Sequence, residues 1–508
     1  MFRFFRSIML MLVITSTASV GDVDAQPASD DESTGWSTTF RDDLQAARRI
    51  ILESHPGPVD ALNPGFGDWL DAGFEQQMAL AESIDTADGY VYAMLKFIAG
   101  FRDGHLGIRF DVDRAPPRWP GFFTTWRNGT VVVHTVDPDV VAKLAEGDQL
   151  RSCDGQTAEK LVTQRVFDFQ FDPALPAQWV PAAARTFIDL GNPFVDVPKR
   201  CVFVRENSEI ALDLEWRQFL WDDRRDDYSA ARGRTRPEVG LYLPETGVYW
   251  LQASTFGPNE AQIAIYKDAF RQLRDARTTA KLVVLDLRGN NGGSSMWADL
   301  FAEALWDKSP DEDENESYVE WRVSEGNVAY WETVPPILRE QFGDSQSAYG
   351  WSNHVLLHLA ASLEDGQDLW RETAVDGEQD SVAASTDQIS GRAPARYEGT
   401  VVVLTDTTCG SACLDAMSLL VEVPGVVHVG SVTSADTQYM ESRTAQLPSG
   451  LATLVIPIKV YRGRVRPEGG YFTPAFQFKG LHWTDEALRA WVLSLWHKGA
   501  FETSTQTR

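Results

Sequence analysis

Apolar positions recur along this chain at two different periods, and the period changes part-way. From Phe40 to Ser54 and from Tyr90 to Phe101 they fall at helical spacing (Leu44, Ala47, Ile51; Val91, Leu95, Ile98), which predicts helices packed through one face. This helical region, 26–112, closes on Asp103-Gly104-His105. Residues 113–216 instead alternate apolar and polar side chains in short runs such as Thr130 to Val133 and Ile210 to Trp216, so a small β domain is predicted. From Val239 strands alternate with helices. Gly247 to Phe256 reads as a strand, Asn259 to Leu273 sets Ile263, Tyr266, Phe270 and Leu273 on one helical face, and Lys281 to Leu287 and Thr400 to Leu404 are unbroken apolar runs. Such runs suit a sheet covered by helices on both faces, so 217–307 and 396–490 are predicted to form an α/β core. Between them, 308–395 opens with Asp311-Glu312-Asp313-Glu314 and reads as an acidic, solvated insertion, while 491–508 reads as a tail.

Composition narrows the function. The 508 residues are too many for one ordinary core, and 43% apolar content suffices to bury two or three. Forty-six basic residues against seventy-three acidic ones leave a net charge of −27, which disfavours nucleic acid and anionic membranes as partners. The start reads as an export signal over 1–25: Arg3 and Arg6, an apolar stretch from Ile8 to Ile14, and Val23-Asp24-Ala25 before Gln26. That stretch is short of the ~20 residues a bilayer-spanning helix needs, so the expectation is an exported, periplasmic or extracellular protein without a stable membrane anchor. An oxidising compartment lets the four cysteines pair, and they fall into two couples: Cys153 with Cys201, and Cys409 with Cys413. For the second couple, two buried free thiols are the alternative.

Three segments carry candidate chemistry. In the first, Leu285-Asp286-Leu287-Arg288-Gly289-Asn290-Asn291-Gly292-Gly293, an apolar strand enters a Gly-rich turn whose free N–H groups can hold a negative oxygen. A phosphate loop is the rival reading, but the chain lacks G-x-x-x-x-G-K-[ST] and this turn lacks G-x-G-x-x-G. In the second, Leu404-Thr405-Asp406-Thr407-Thr408-Cys409-Gly410-Ser411-Ala412-Cys413, a strand enters a small-residue turn that places Ser411 either as a helix cap or as a nucleophile beside a helix N-terminus. The third, Val465-Arg466-Pro467-Glu468-Gly469-Gly470-Tyr471-Phe472-Thr473-Pro474, puts one carboxylate in a turn after the strand Leu451 to Val460.

In this order the three segments resemble the C-terminal-processing (tail-specific) serine peptidases, whose core has a strand ending in D-L-R-x-N-x-G-G, a Ser-Ala turn and an E-G-x-G-x-x-P-like segment. Gly147-Asp148-Gln149-Leu150 with Asp154-Gly155 is similar to a turn and strand of PDZ domains, and with Asp103-Gly104-His105 the likeness spans most of 40–480. The resemblance implies a helical N-terminal part, a PDZ-like domain and a spiral-sheet core similar to crotonases and Clp peptidases. It also implies a polypeptide substrate.

One branch of the family uses a lysine about 25 residues after the serine, in T-x-G-K; Thr433-Ser434-Ala435-Asp436 stands there instead. Lys459, the one lysine between Ser411 and Glu468, lies inside an apolar strand pattern and reads as structural. His105 matches the histidine of the branch resembling the tricorn protease core, and neutral imidazole suits the task near pH 7. The resemblance thus implies Ser411 as nucleophile, His105 as base, Glu468 as the residue orienting the histidine, and Ala412 with Gly292 or Gly293 as oxyanion donors. Gly104 departs from the tricorn pattern, which has serine before the histidine, so Asp103, a water or another hydroxyl must bridge His105 to its acid. No H-E-x-x-H or comparable spacing occurs, so neither a metal nor any other cofactor is expected. The alternative is a non-catalytic carrier of hydrophobic ligands, since interphotoreceptor retinoid-binding proteins resemble the same core.

Overall fold

A computed structural model describes residues 32–139, 141–307, 317–342, 347–372, 396–464 and 466–504. The expected export signal lies outside them. The α/β core is a six-stranded sheet in the order Gly240–Tyr242, Val248–Gln252, Leu282–Asp286, Thr400–Thr405, Val426–Gly430 and Phe476–Gln477, parallel after the first pair. Every residue of Leu282–Asp286 is buried because its two faces meet different cores. Val283 and Leu285 pack with Tyr266 and Phe270 of the helix Glu260–Asp275, whereas Leu282 and Val284 pack with Leu488 and Val492 of the helix Asp485–His497. The first of these helices starts at a capping box, Asn259 and Gln262 each satisfying the other's backbone N–H.

The stretch expected as a C-terminal tail is therefore partly core: Val492 is fully buried and Phe501 nearly so. The expected insertion also differs from a solvated loop. Its strand Tyr318–Arg322, helices Glu325–Phe342 and Ser347–Glu364, and strand Leu369–Arg371 enclose Trp321, Trp331 and Trp370.

A second sheet joins distant parts of the chain. Ala452–Arg462 pairs antiparallel with Tyr439–Gln446, with Gly107–Phe110 and with Tyr318–Arg322. The N-terminal helices Glu32–Ser54 and Ala87–Ala99 bury Phe40, Leu44, Tyr90 and Phe97 against it. The β domain is a further sheet, Phe122–Arg127 through Ser208–Asp213, in which Cys153 and Cys201 are register partners and disulfide-bonded. Among the described residues no helix is long and apolar enough to cross a membrane.

Candidate active site

The strands Leu282–Asp286 and Thr400–Thr405 are parallel neighbours, so the turns that follow them emerge at the same edge of the sheet. Arg288 fixes the first turn through Asp286 (2.6 and 2.9 Å) and Asp485 (2.8 Å). Asp406 ties the two turns together, its Oδ2 accepting the Gly289 N–H at 2.9 Å while Oδ1 accepts Thr408 N–H. Burial pushes the Asp406 carboxyl up to about 6 despite these donors.

Ser411 opens the helix Ala412–Leu420 at φ 55° and ψ −127°, a conformation that costs a non-glycine residue about 1–3 kcal/mol. Its side chain makes no capping hydrogen bond, which removes the helix-cap reading. The Cys409–Cys413 disulfide brackets it. Gly292, at φ 109°, packs so tightly that a Cβ there would lie 2.7 Å from Ser411 Cβ and 3.0 Å from Ser411 Oγ. The Gly292 N–H is already donated to Asn290 Oδ1, and the Ser411 N–H to Asp436 Oδ1 at 3.0 Å. Among the described residues the N–H groups of Gly293 and Ala412 have no such acceptor, and both residues line the same small cavity as Ser411, about 30 Å³.

Lys459 lines that cavity too, a placement its apolar strand context concealed. It is buried, with Nζ 3.3 Å from Glu441 Oε2 and over the Trp321 ring. Burial alone would lower its pKa, but its neighbours Tyr461, Glu441 and Glu372 turn the shift upward.

His105 follows the helix Ala87–Ala99 by one turn and precedes Gly107–Phe110. Its backbone N–H donates to Asp103 Oδ1 (2.9 Å), and its Nδ1 lies 3.3 Å from Thr437 Oγ1. Among the bonds of the described residues, none joins it to Ser411. The two are held by consecutive residues: Asp436 grips the serine N–H and Thr437 the imidazole, and adjacent Cα atoms are about 3.8 Å apart. Glu468 makes no hydrogen bond among the described residues; burial, then Asp103 and Asp60 nearby, raise its pKa.

No family model matches this chain, and no curated protein is similar to it in sequence. Solved structures do match in shape. Mature CPAF superposes with a TM-score of 0.61 at 12% identity over 87% of this chain and 92% of that one. Mature CPAF complexed with lactacystin gives 0.61 and 12% over 92% and 98%, and a CPAF mutant gives 0.59 and 13% over 89% and 94%. The likeness is one of fold.

Sequence reasoning missed four residues around this site. Asp436 occupies the place of the lysine in T-x-G-K and Thr437 follows it, and neither residue type suggests a base. Arg466, bonded to Asp436 Oδ2 at 3.0 Å, lay beside the more conspicuous Glu468. His55, fully buried with Nε2 2.9 Å from Asp103 Oδ2, follows a helix in His55-Pro56-Gly57-Pro58, where a histidine looks like an ordinary cap.

Proposed function

We propose that this chain is a serine endopeptidase of the C-terminal-processing type, in the branch with a histidine base, acting on polypeptides outside the cytoplasm. Its β domain corresponds in this reading to a PDZ-like domain, and its parallel sheet to a spiral core of the crotonase and Clp-peptidase kind. The observation that carries it is the Ser411 turn: a strained serine at a helix N-terminus, in contact with Gly292, in one cavity with two uncommitted N–H groups.

In this mechanism a substrate carbonyl carbon meets Ser411 Oγ, and its oxygen lies against the N–H groups of Gly293 and Ala412. Each such donor is typically worth about 3 kcal/mol of barrier. His105 takes the hydroxyl proton through Nε2, then returns it to the leaving amine; the peptide C–N bond breaks and an ester to Ser411 remains. Water, deprotonated by the same imidazole, hydrolyses that ester. His105 and Ser411 need to close on each other when substrate binds, as catalytic hydrogen bonds commonly do. Lys459, whose ammonium is paired with Glu441 at 3.3 Å, is not assigned as the base.

The ligand-carrier alternative finds no support in the apolar cavity among Phe256, Tyr266, Phe270 and Trp297, which at about 10 Å³ has room for roughly one water. The test is direct. A fluorophosphonate should label the purified wild type and not Ser411→Ala, and equal labelling of the two defeats the proposal.

A further inference from the structure

Behind His105 lies a line of buried polar groups that ends in a second histidine. Thr437 Oγ1 is 2.7 Å from Asp103 Oδ1 and 3.3 Å from the Tyr439 carbonyl. A hydroxyl donates one hydrogen, and the short contact to a carboxylate claims it. The Thr437 oxygen is then an acceptor toward His105, so the ring must carry its hydrogen on Nδ1 and present a bare Nε2. The far side is fixed equally. The Gly57 N–H donates to His55 Nδ1 at 2.9 Å, which leaves the His55 hydrogen on Nε2, pointing at Asp103 Oδ2.

Asp103 thus accepts three hydrogen bonds: from the His105 backbone, the Thr437 hydroxyl and the His55 ring. Its side chain is 2% exposed and that of His55 is fully buried. Burial would raise the Asp103 pKa, but the bond from His55 and the neighbouring imidazoles hold it below the usual carboxylate range. Burial also lowers the His55 pKa, keeping that ring neutral. The carboxylate is therefore ionised, dry and two bonds from the base. Glu468, the acid implied by the family resemblance, has no hydrogen bond to either.

Resting on the peptidase reading above, we infer that the acid of this site is Asp103, acting through the Thr437 hydroxyl and braced by His55, in place of Glu468. When His105 Nε2 takes the Ser411 proton, the imidazolium keeps its Nδ1 hydrogen on Thr437 and Thr437 keeps its own on Asp103. No proton reaches the carboxylate; it stabilises the new positive charge and fixes the tautomer that makes Nε2 a base. Asp103, Thr437 and His55 are positioning residues. The Asp103 bond to the His105 backbone would exist in a purely structural turn as well, so the hydroxyl is the discriminating element.

The experiment uses the full mature chain and compares wild type, Thr437→Val, Thr437→Ser and Glu468→Gln. The readouts are fluorophosphonate labelling rate, kcat and KM on a quenched-fluorescence peptide library, and the histidine tautomers by ¹⁵N NMR. Thr437→Val keeps the shape and loses the bridge: kcat and labelling should fall about 100-fold, as for a general base left misoriented, with KM changed less than about threefold. Thr437→Ser should restore most of the rate, Glu468→Gln should cost less than Thr437→Val, and His105 should be the Nδ1–H tautomer in wild type but not in Thr437→Val. A labelled wild type whose Thr437→Val loses nothing, or whose Glu468→Gln loses more, overturns this inference alone. A wild type that is never labelled overturns the peptidase reading and this one with it.

Discussion

Replacing Asp436 with alanine removes the group that holds the Ser411 turn in its strained shape. Asp436 Oδ1 accepts the Ser411 N–H at 3.0 Å, and its Oδ2 binds Arg466, whose side chain is 9% exposed. A hydrogen bond to a charged acceptor contributes about 1.5–3 kcal/mol. Breaking a buried pair costs about 3–5 kcal/mol, but Arg466 retains Asp415 at 3.3 Å and Ser418 at 3.0 Å, so the low end applies. The expected loss of stability is about 3 kcal/mol, read as a lower urea midpoint at pH 7.5 with unchanged slope. The second effect falls on the serine. Once the clamp is gone, the roughly 1–3 kcal/mol of strain at φ 55° is no longer opposed and the turn relaxes, which should slow labelling by a factor of about 5 to 150 in the folded protein. Arg466→Met separates the two effects, because it breaks the ion pair and leaves the Asp436 to Ser411 bond in place. It should lower the midpoint similarly and slow labelling far less. Asp436→Ala with a midpoint within about 0.5 kcal/mol of wild type and a wild-type labelling rate would refute the reasoning.

Other expectations follow from the same geometry. Gly292→Ala sends a Cβ to 3.0 Å from Ser411 Oγ and should fold yet label at least tenfold more slowly, whereas Gly293→Ala meets the Phe256 backbone at 2.1 Å and should fail in soluble yield before any assay. Asp406, raised to about 6 from 3.8, binds more protons folded than unfolded between those values, so its contribution is present below pH 3.8 and lost as pH rises through 6. The stability of wild type relative to Asp406→Asn should fall by about 2 kcal/mol from pH 4 to 7, and a pH-independent difference in urea midpoints would contradict the assignment. Replacing Cys153 and Cys201 together by serine opens a link across 48 residues and should cost about 4 kcal/mol by calorimetry or denaturant titration, against about 2 kcal/mol for Cys409 and Cys413, four residues apart.

The parts legible in sequence were those whose signal is local. Leu282–Asp286 and Thr400–Thr405 announced themselves because a strand buried on both faces admits only apolar residues, and the helix after Asn259 because Ile263, Tyr266, Phe270 and Leu273 fall on one face. Ser411 and the glycines beside it were visible because the turn requires small residues there. Thr437 and His55 were not, because a lone threonine in a loop and a histidine after a helix have no distinctive neighbours; their meaning arises only when folding brings residues 55, 103, 105 and 437 together. Lys459 was read as a structural residue of its strand, and there it is paired with Glu441 of the neighbouring strand; that it also lines the serine's cavity is something periodicity does not address.

The hydrogen bond between His105 and Thr437 spans 332 positions of chain, and the Ser411 clamp comes from the same late stretch. A ribosome therefore releases the imidazole long before it makes the hydroxyl that orients it. A chain that stops before residue 436 lacks both the hydroxyl that meets the ring and the carboxylate that holds the serine.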